Sequence, residues 1–379
     1  MRKSIPYGRQ DIDASDLKAV NEVLQGEWLT TGPAVEKFEK DLEQWTGGTP
    51  TIAVSSGTAA LHTAYAAAGI GPGDEVITPP ITFVATQAAA VHLGAVPVFA
   101  DVQLDTATID PDCVESLITS RTAAIVAVDY AGHPAEYDEI RSIADRHGLL
   151  LIQDAAHSLG SDYRGRAVGS IADITTFSFF PTKNITTGEG GAVSSKDPEI
   201  LNRARKFARQ GLVREESDFQ TASEGPWHQE VHDFGLNYRL PDILAALGSQ
   251  QLTRLRDFKQ RRKEIKAEYD SAFSDLPNVK IPAQRPYVDP VWHFYPLRIE
   301  AAKRREVFES LRKAGIGVQV NYWPSYRHPA FSRILDSVPN CPNSEEYYSQ
   351  EISLPLFSLL TDAELEFIIL TVKSLLTAK

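Results

Sequence analysis

The sequence predicts an α/β protein in two parts: a large domain built on a mostly parallel seven-stranded sheet, then a smaller C-terminal α+β domain. Three observations predict this. From about Thr51 to Ser195 short β-branched runs alternate with helical patterns, as a parallel sheet covered by helices reads. After Pro241 a long stretch carries apolar residues at helical spacing with many Lys and Arg on the other face. The remaining chain mixes short apolar runs with helical patterns. The large domain is placed at residues 12–250 and the small one at 251–379, with residues 1–11 as an arm packing near the functional site.

In chain order the expected strands are TIAVS, EVITP, VPVFAD, AAIVAVDY, LLLIQD, ITTFSFF and GAVSS. Helices between them are expected at AALHTAYAAAG, VATQAAAVHLG, PDCVESLI and AEYDEIRSIADRHG, several closed by the glycine that commonly follows a helix end. DILAALGSQQLTRLRDFKQRRKEIKAEYDSAF reads as one or two long amphipathic helices. HFYPLRIE, a helix from about Arg304 to Ala314, IGVQVNYW, ISLPLF and a helix after Thr361 complete the small domain. The polar, irregular segment from Val213 to Val231 reads as a mobile loop, and loops of that length are often functional.

Bulk properties exclude several classes. The 379 residues are 42% hydrophobic and 23% charged, an ordinary globular balance. A formal net charge of −12 argues against nucleic-acid binding, which needs a continuous basic surface, but leaves room for an anionic small molecule in one cleft. Cys113 and Cys341 lie far apart in no ligand spacing, so neither a disulfide scaffold nor a metal site is expected. The N-terminus meets Pro6 and Gly8 where a signal peptide needs an apolar run, and the most apolar stretch, Leu61 to Gly69, is too short to span a bilayer. A cytoplasmic protein with no membrane contact is expected.

The chemistry centres on FSFFPTKNITTGEGGAVSS, where Lys183 follows an apolar strand and precedes a Thr/Gly-rich turn. A lysine held there suits Schiff-base chemistry, provided burial or a neighbouring cation lowers its pKa from ~10.4. Taken singly, it also fits a surface lysine. Asp154 ends the apolar strand in LLLIQDAAHSLG, and ligands of open α/β sheets sit outside such strand ends. A carboxylate there can pair with a pyridinium nitrogen; at ~4 Å and an effective dielectric near ~20 the attraction is on the order of 4 kcal/mol. That is about three pKa units, enough to keep the ring protonated at neutral pH. Asp154 alone is served equally well by a helix N-cap role.

AVSSGTAALHTAY reads as strand, small-residue turn and helix, so Ser56, Gly57 and Thr58 present N–H groups and hydroxyls at a helix N-terminus, an anion site or simply a capping turn. It is neither a phosphate loop with GK[ST] nor a G-x-G-x-x-G turn. Ser178, five residues before Lys183, can add a hydroxyl. Phe83 in TPPITFVATQAAA offers a flat ring for stacking, or is a buried aromatic. His157, three residues past Asp154, lies on the same side of the turn if a helix begins there; it donates to a ring hydroxyl or is a core histidine.

Together these segments resemble the DegT-type nucleotide-sugar aminotransferases, pyridoxal-phosphate (PLP) enzymes of fold type I, the aspartate aminotransferase-like fold. WLTTGPAVEKFE, SSGTAAL, TPPITFVAT, VDYAG, DAAHSLG, FSFFPTKNITTGEGGAV, GLNYRLPDILAALG and ISLPLF follow the family's order, and the block around Lys183 is highly specific. VDYAG, NYWPSY and EISLPLF make the chain most similar to the family's pseudaminic-acid pathway branch, which aminates C4 of a UDP-linked 4-keto-6-deoxy-N-acetylhexosamine.

The resemblance implies that Lys183 carries PLP covalently and shuttles the migrating proton. It implies that Asp154 binds the ring nitrogen, His157 the ring hydroxyl and Phe83 the ring face, with Gly57, Thr58 and Ser178 holding the phosphate. Asn237 in GLNYRL would reach the cofactor phosphate of a neighbouring subunit, implying a homodimer with its active site at the interface. Thr30, Arg239 and Tyr322 are candidate substrate contacts, Arg239 being equally readable as an ordinary ion-pair partner. Phe180 stands where many relatives have His or Tyr. The implied cycle is ping-pong: an amino acid, by resemblance L-glutamate, leaves its nitrogen on the cofactor as PMP, and a nucleotide-linked keto-sugar takes it. The alternatives are a PLP- or PMP-dependent sugar dehydratase, whose relatives typically have His at the lysine position, and a non-catalytic PLP-binding regulator, for which no helix-turn-helix signature is present. Substrate choice is expected to rest on Trp28 to Thr31, Val213 to Val231 and Asn321 to Arg327.

Overall fold

The computed structural model describes residues 4–377. All seven expected runs form one sheet: β1 Thr51–Val54, β2 Glu75–Thr78, β3 Val96–Phe99, β4 Thr122–Val128, β5 Leu150–Asp154, β6 Ile174–Ser178 and β7 Gly191–Ser194. Their order is β1-β7-β6-β5-β4-β2-β3. The pairs from β6 to β3 are parallel, and β7 runs antiparallel to both its neighbours.

Both faces of the sheet are buried, which is why its strands read as continuous apolar runs rather than alternating ones. Ile125 and Ala127 of β4 join one core with Phe38, Tyr137 and Leu252. Ala124 and Val126 join the other with Tyr65, Ala89 and Ile200. The first core is therefore covered by α2 (Pro33–Glu43), which follows α1 (Ala14–Leu24), and the second by α3 (Gly57–Ala67) and α4 (Ala85–His92). PDCVESLI makes only one helical turn, α5 (Pro111–Val114), before tightening into a 3₁₀ turn. The chain must reverse there, and the Thr119 N–H bonds the Thr122 hydroxyl at 2.9 Å to enter β4. Next come α6 (Tyr137–His147), closed by Gly148 at φ 66°, and α7 (Pro198–Ala208).

The long amphipathic stretch is two helices, α8 (Asp242–Leu252) and α9 (Leu255–Phe273). They part at Arg254, whose guanidinium is drawn aside to Asp11 at 3.1 Å, Asp13 at 3.3 Å and Asp16. At its other end α8 anchors α2, since the Asp242 carboxylate accepts from the N–H groups of Gly32 (2.8 Å) and Ala34 (2.9 Å). Leu255 of α9 belongs to the sheet's core, whereas Ile265, Tyr269 and Phe273 enter a separate one. That core also holds the antiparallel pair β8 (Tyr295–Arg298) and β9 (Glu351–Leu354), with residues of α10 (Ala301–Lys313), α11 (Pro342–Gln350) and α12 (Asp362–Thr377).

IGVQVNYW forms no strand. Its pairing is divided between Ile316 with Ile5 and Gln319 with Ser353, two partners at opposite ends of the chain. The segment after Val213 is closed at its base by Leu212 against Val231 and Val213 against Glu230. Inside it the Glu230 carboxylate accepts from the backbone of Gln220 (2.7 Å) and Thr221 (2.8 Å). Of the N-terminal arm, Met1–Lys3 lie outside the described residues.

Candidate active site

A cavity of about 440 Å³ opens beyond the carboxyl ends of the parallel strands, where the β1–α3, β2–α4 and β5 turns and the segment after β6 converge. Ser56, Gly57, Thr58, Phe83, Asp154, His157, Ser178, Lys183 and Tyr322 all line it. Thr30, Asn237 and Arg239 do not. They sit on the chain's surface side, bridged to Pro241, Arg209 and Val54 respectively. Asn237 is exposed.

At the α3 end, Ser56 caps the helix, its hydroxyl accepting from the Ala59 N–H at 3.0 Å. It leaves the other first-turn donors of α3 at the cavity wall. A side chain at Gly57 would place its Cβ 2.7 Å from the Ser178 Cβ, so glycine is what lets this helix end approach β6. Two serines and a helix N-terminus thus form a compact cradle for a dianion.

Lys183 and Asp154 dominate the electrostatics. Lys183 is half-buried, with its N–H held by the Phe180 carbonyl at 2.8 Å. Burial pushes its amine down to about 8, against the opposing pull of Asp154. Asp154 is 4% exposed. Burial pushes its carboxyl above the usual range, while the Thr86 hydroxyl (2.8 Å), the Ala156 N–H (3.1 Å) and Lys183 hold it down. No helix follows Asp154, so it is not an N-cap; Ala155 to Gly160 is a turn.

That turn still delivers His157 to the cavity, although not by helical spacing. His157 stacks on His293 with ring centroids 4.4 Å apart, and its Nε2 lies 3.3 Å from the Tyr322 hydroxyl. Burial drives both imidazoles well below their ordinary value, Lys183 adding to the effect, so both are neutral at pH 7. The Nδ1 of His157 is buried without a partner among the described residues, a polar atom available to a bound group. Phe83 is 58% exposed at the cavity rim, which removes the buried-aromatic reading, and it meets Tyr322 edge-on at 6.3 Å.

The sequence alone did not single out Tyr7, Thr86, Glu189 and His293, which line the cavity together with Asn321 of the segment expected to govern substrate choice. Thr86 had a usable signal: it sits three residues after Phe83 at a helix start. Tyr7 and His293 come from remote segments with no local pattern. Among the described residues no His, Cys, Asp and Glu group could hold a metal ion, and no helix is long and apolar enough to cross a membrane.

These residues fit PLP chemically. The buried carboxylate suits a ring nitrogen, the lowered amine an aldehyde, the orphaned imidazole nitrogen a ring hydroxyl, and the α3 cradle a phosphate. The model of the DegT/DnrJ/EryC1/StrS aminotransferase family matches residues 10–373. The spore coat polysaccharide biosynthesis protein SpsC of Bacillus subtilis is 37% identical over 377 residues, covering 98% of this chain and 97% of its own. Among solved structures, Helicobacter pylori PseC, an aminotransferase in pseudoaminic acid biosynthesis, superposes with a TM-score of 0.92 at 33% identity, covering 99% of each chain. The PMP form of the putative sugar aminotransferase Spr1654 of Streptococcus pneumoniae gives 0.92 at 32% identity over 98% of each.

Proposed function

The chain belongs to the DegT/DnrJ/EryC1/StrS aminotransferase family and is a PLP-dependent sugar aminotransferase; we propose that it moves the amino group of L-glutamate to C4 of a UDP-linked 4-keto-6-deoxy-N-acetylhexosamine. The observation that carries the reading is one cavity holding a half-buried amine of lowered pKa and a buried carboxylate beside an open anion cradle. The role of the H. pylori relative supports the choice of sugar.

When bound, PLP supplies an electron sink that stabilises negative charge on the carbon next to the migrating nitrogen. Asp154 is proposed to hold its ring nitrogen charged, with Thr86 fixing the carboxylate. Ser56, Gly57, Thr58 and Ser178 would hold its phosphate, joined by Asn237 from a second copy of the chain, which makes the working unit a homodimer. Phe83 would cover one face of its ring. Lys183 Nζ would hold it covalently and would move the proton at the substrate carbon. Tyr322, and Thr30 and Arg239 across the dimer, are proposed to face the nucleotide sugar. The enzyme is proposed to act in the cytoplasm, on soluble substrates.

Lys183 disfavours the dehydratase alternative, because a primary amine at that position is what the transfer needs. Incubating the purified protein with glutamate and a panel of UDP- and dTDP-linked 3-keto and 4-keto sugars, with products read by mass and NMR, tests the substrate. A 4-amino UDP-sugar together with 2-oxoglutarate is expected. A 3-amino product, a dTDP-only product or a deoxygenated sugar without nitrogen would refute the corresponding part of the proposal.

A further inference from the structure

One wall of the cavity is fixed by a buried acid that touches nothing inside it. Tyr7, Asn321 and Tyr322 form that wall, and every polar group of Asn321 except its side-chain oxygen is engaged. The Asn321 N–H donates to Glu351 Oε2 at 2.9 Å, and its carbonyl accepts from the Tyr130 hydroxyl. Its side-chain amide donates to the Tyr7 hydroxyl at 2.6 Å and to the Ser353 hydroxyl at 3.0 Å. Ser353 in turn bonds Glu351 Oε1. Glu351 is wholly buried at the start of β9, with both its oxygens committed to this network.

We propose that Glu351 is a positioning residue for the sugar-facing wall, holding the Asn321 backbone and, through Ser353 and the Asn321 amide, the Tyr7 hydroxyl in register with Tyr322 and His157. The arrangement works while the acid is neutral. Tyr7, Tyr130, Tyr322 and Tyr347 face it, and the cation acting on it is Arg304, itself bonded to the Tyr348 carbonyl. Its cross-strand neighbour Arg298 is turned to Gln350 at 3.4 Å. Burial with so little compensation pushes the Glu351 carboxyl up to about 8. Ionisation above that pH puts a charge into the network against which only the Asn321 N–H, the Ser353 hydroxyl and Arg304 stand, and the wall is expected to shift in response.

The test compares the wild-type holoenzyme with Glu351→Gln and Glu351→Ala. Glu351→Ala is expected to raise KM for the keto-sugar roughly tenfold by unpairing the Asn321 N–H, with kcat and the bound-cofactor absorbance nearly unchanged. Glu351→Gln stays neutral at every pH. It is expected to match the wild-type KM at about pH 7 and to stay flat where the wild-type KM climbs above about 8. The melting temperature of Glu351→Gln is also expected to gain on the wild type as pH rises from about 4.5 to about 8, and no further beyond, because the unfolded wild type loses its proton across that window while the folded one keeps it. An unchanged sugar KM in a folded Glu351→Ala overturns the proposal. So does a Glu351→Gln whose pH profile and melting offset parallel the wild type, and that comparison decides the matter alone if the alanine variant does not fold.

Discussion

Lys183 and Asp154 restrain each other in the free protein: each opposes the other's burial-driven shift. With its amine lowered to about 8, Lys183 is mostly protonated at pH 7 and mostly neutral at pH 9. The rate at which cofactor-free protein captures PLP covalently is therefore expected to rise with pH through a midpoint near 8, read by the growth of visible absorbance. A midpoint near the ordinary lysine value would mean that the amine is solvated rather than enclosed. Asp154→Asn removes the charge while keeping the shape, and is expected to cost roughly 10³-fold in kcat, the equivalent of the ~4 kcal/mol that a charge at ~4 Å supplies. Both residues were legible because each sits at a strand end in a dense local motif. Glu351, which bonds the Asn321 N–H, was not, because its partner lies 30 residues away in sequence; Thr86, which bonds Asp154 from 68 residues away, was marked only by its place three residues after Phe83.

The elements that position these groups were the most legible feature of the chain. Strands buried on both faces declare themselves by composition, as β4 and β5 do. Elements whose partners are divided do not: IGVQVNYW has strand-like alternation, yet Ile316 and Gln319 are claimed by different neighbours. The helix expected after Pro111 stopped after one turn because the chain had to reverse into β4, a tertiary demand no local window contains. At the α3 end the close approach to β6 gives a sharp expectation. Gly57→Ala forces a methyl group to within 2.7 Å of the Ser178 side chain. It should weaken cofactor affinity by more than roughly tenfold in a direct titration, while Ser178→Ala, losing one hydroxyl, should cost less. Equal losses would place the phosphate elsewhere.

At the scale of the molecule, the proposed phosphate contact of Asn237 requires a second copy, because Asn237 lies outside its own chain's cavity. Asn237 is exposed, on the far side of β1 from Lys183, and it is flanked by Leu236, 41% exposed, and by Phe234, 98% exposed. An apolar surface of that kind next to a functional segment suits an interface. Lys183→Ala and Asn237→Ala homodimers are each expected to be nearly inactive. Mixing them under conditions that let subunits exchange should restore activity, because one hybrid site then has both native residues. No recovery, with exchange verified by mass, would place Asn237 in its own subunit's chemistry or in none.

Lys183 is proposed as the amine that carries the cofactor, in the cavity that Asp154 also lines. Reducing the yellow holoenzyme with borohydride and mapping the peptides measures this directly. The pyridoxyl group is expected on Lys183 at one per chain, with the visible band abolished; a label on any other lysine, or a band that survives reduction with no peptide modified, contradicts it.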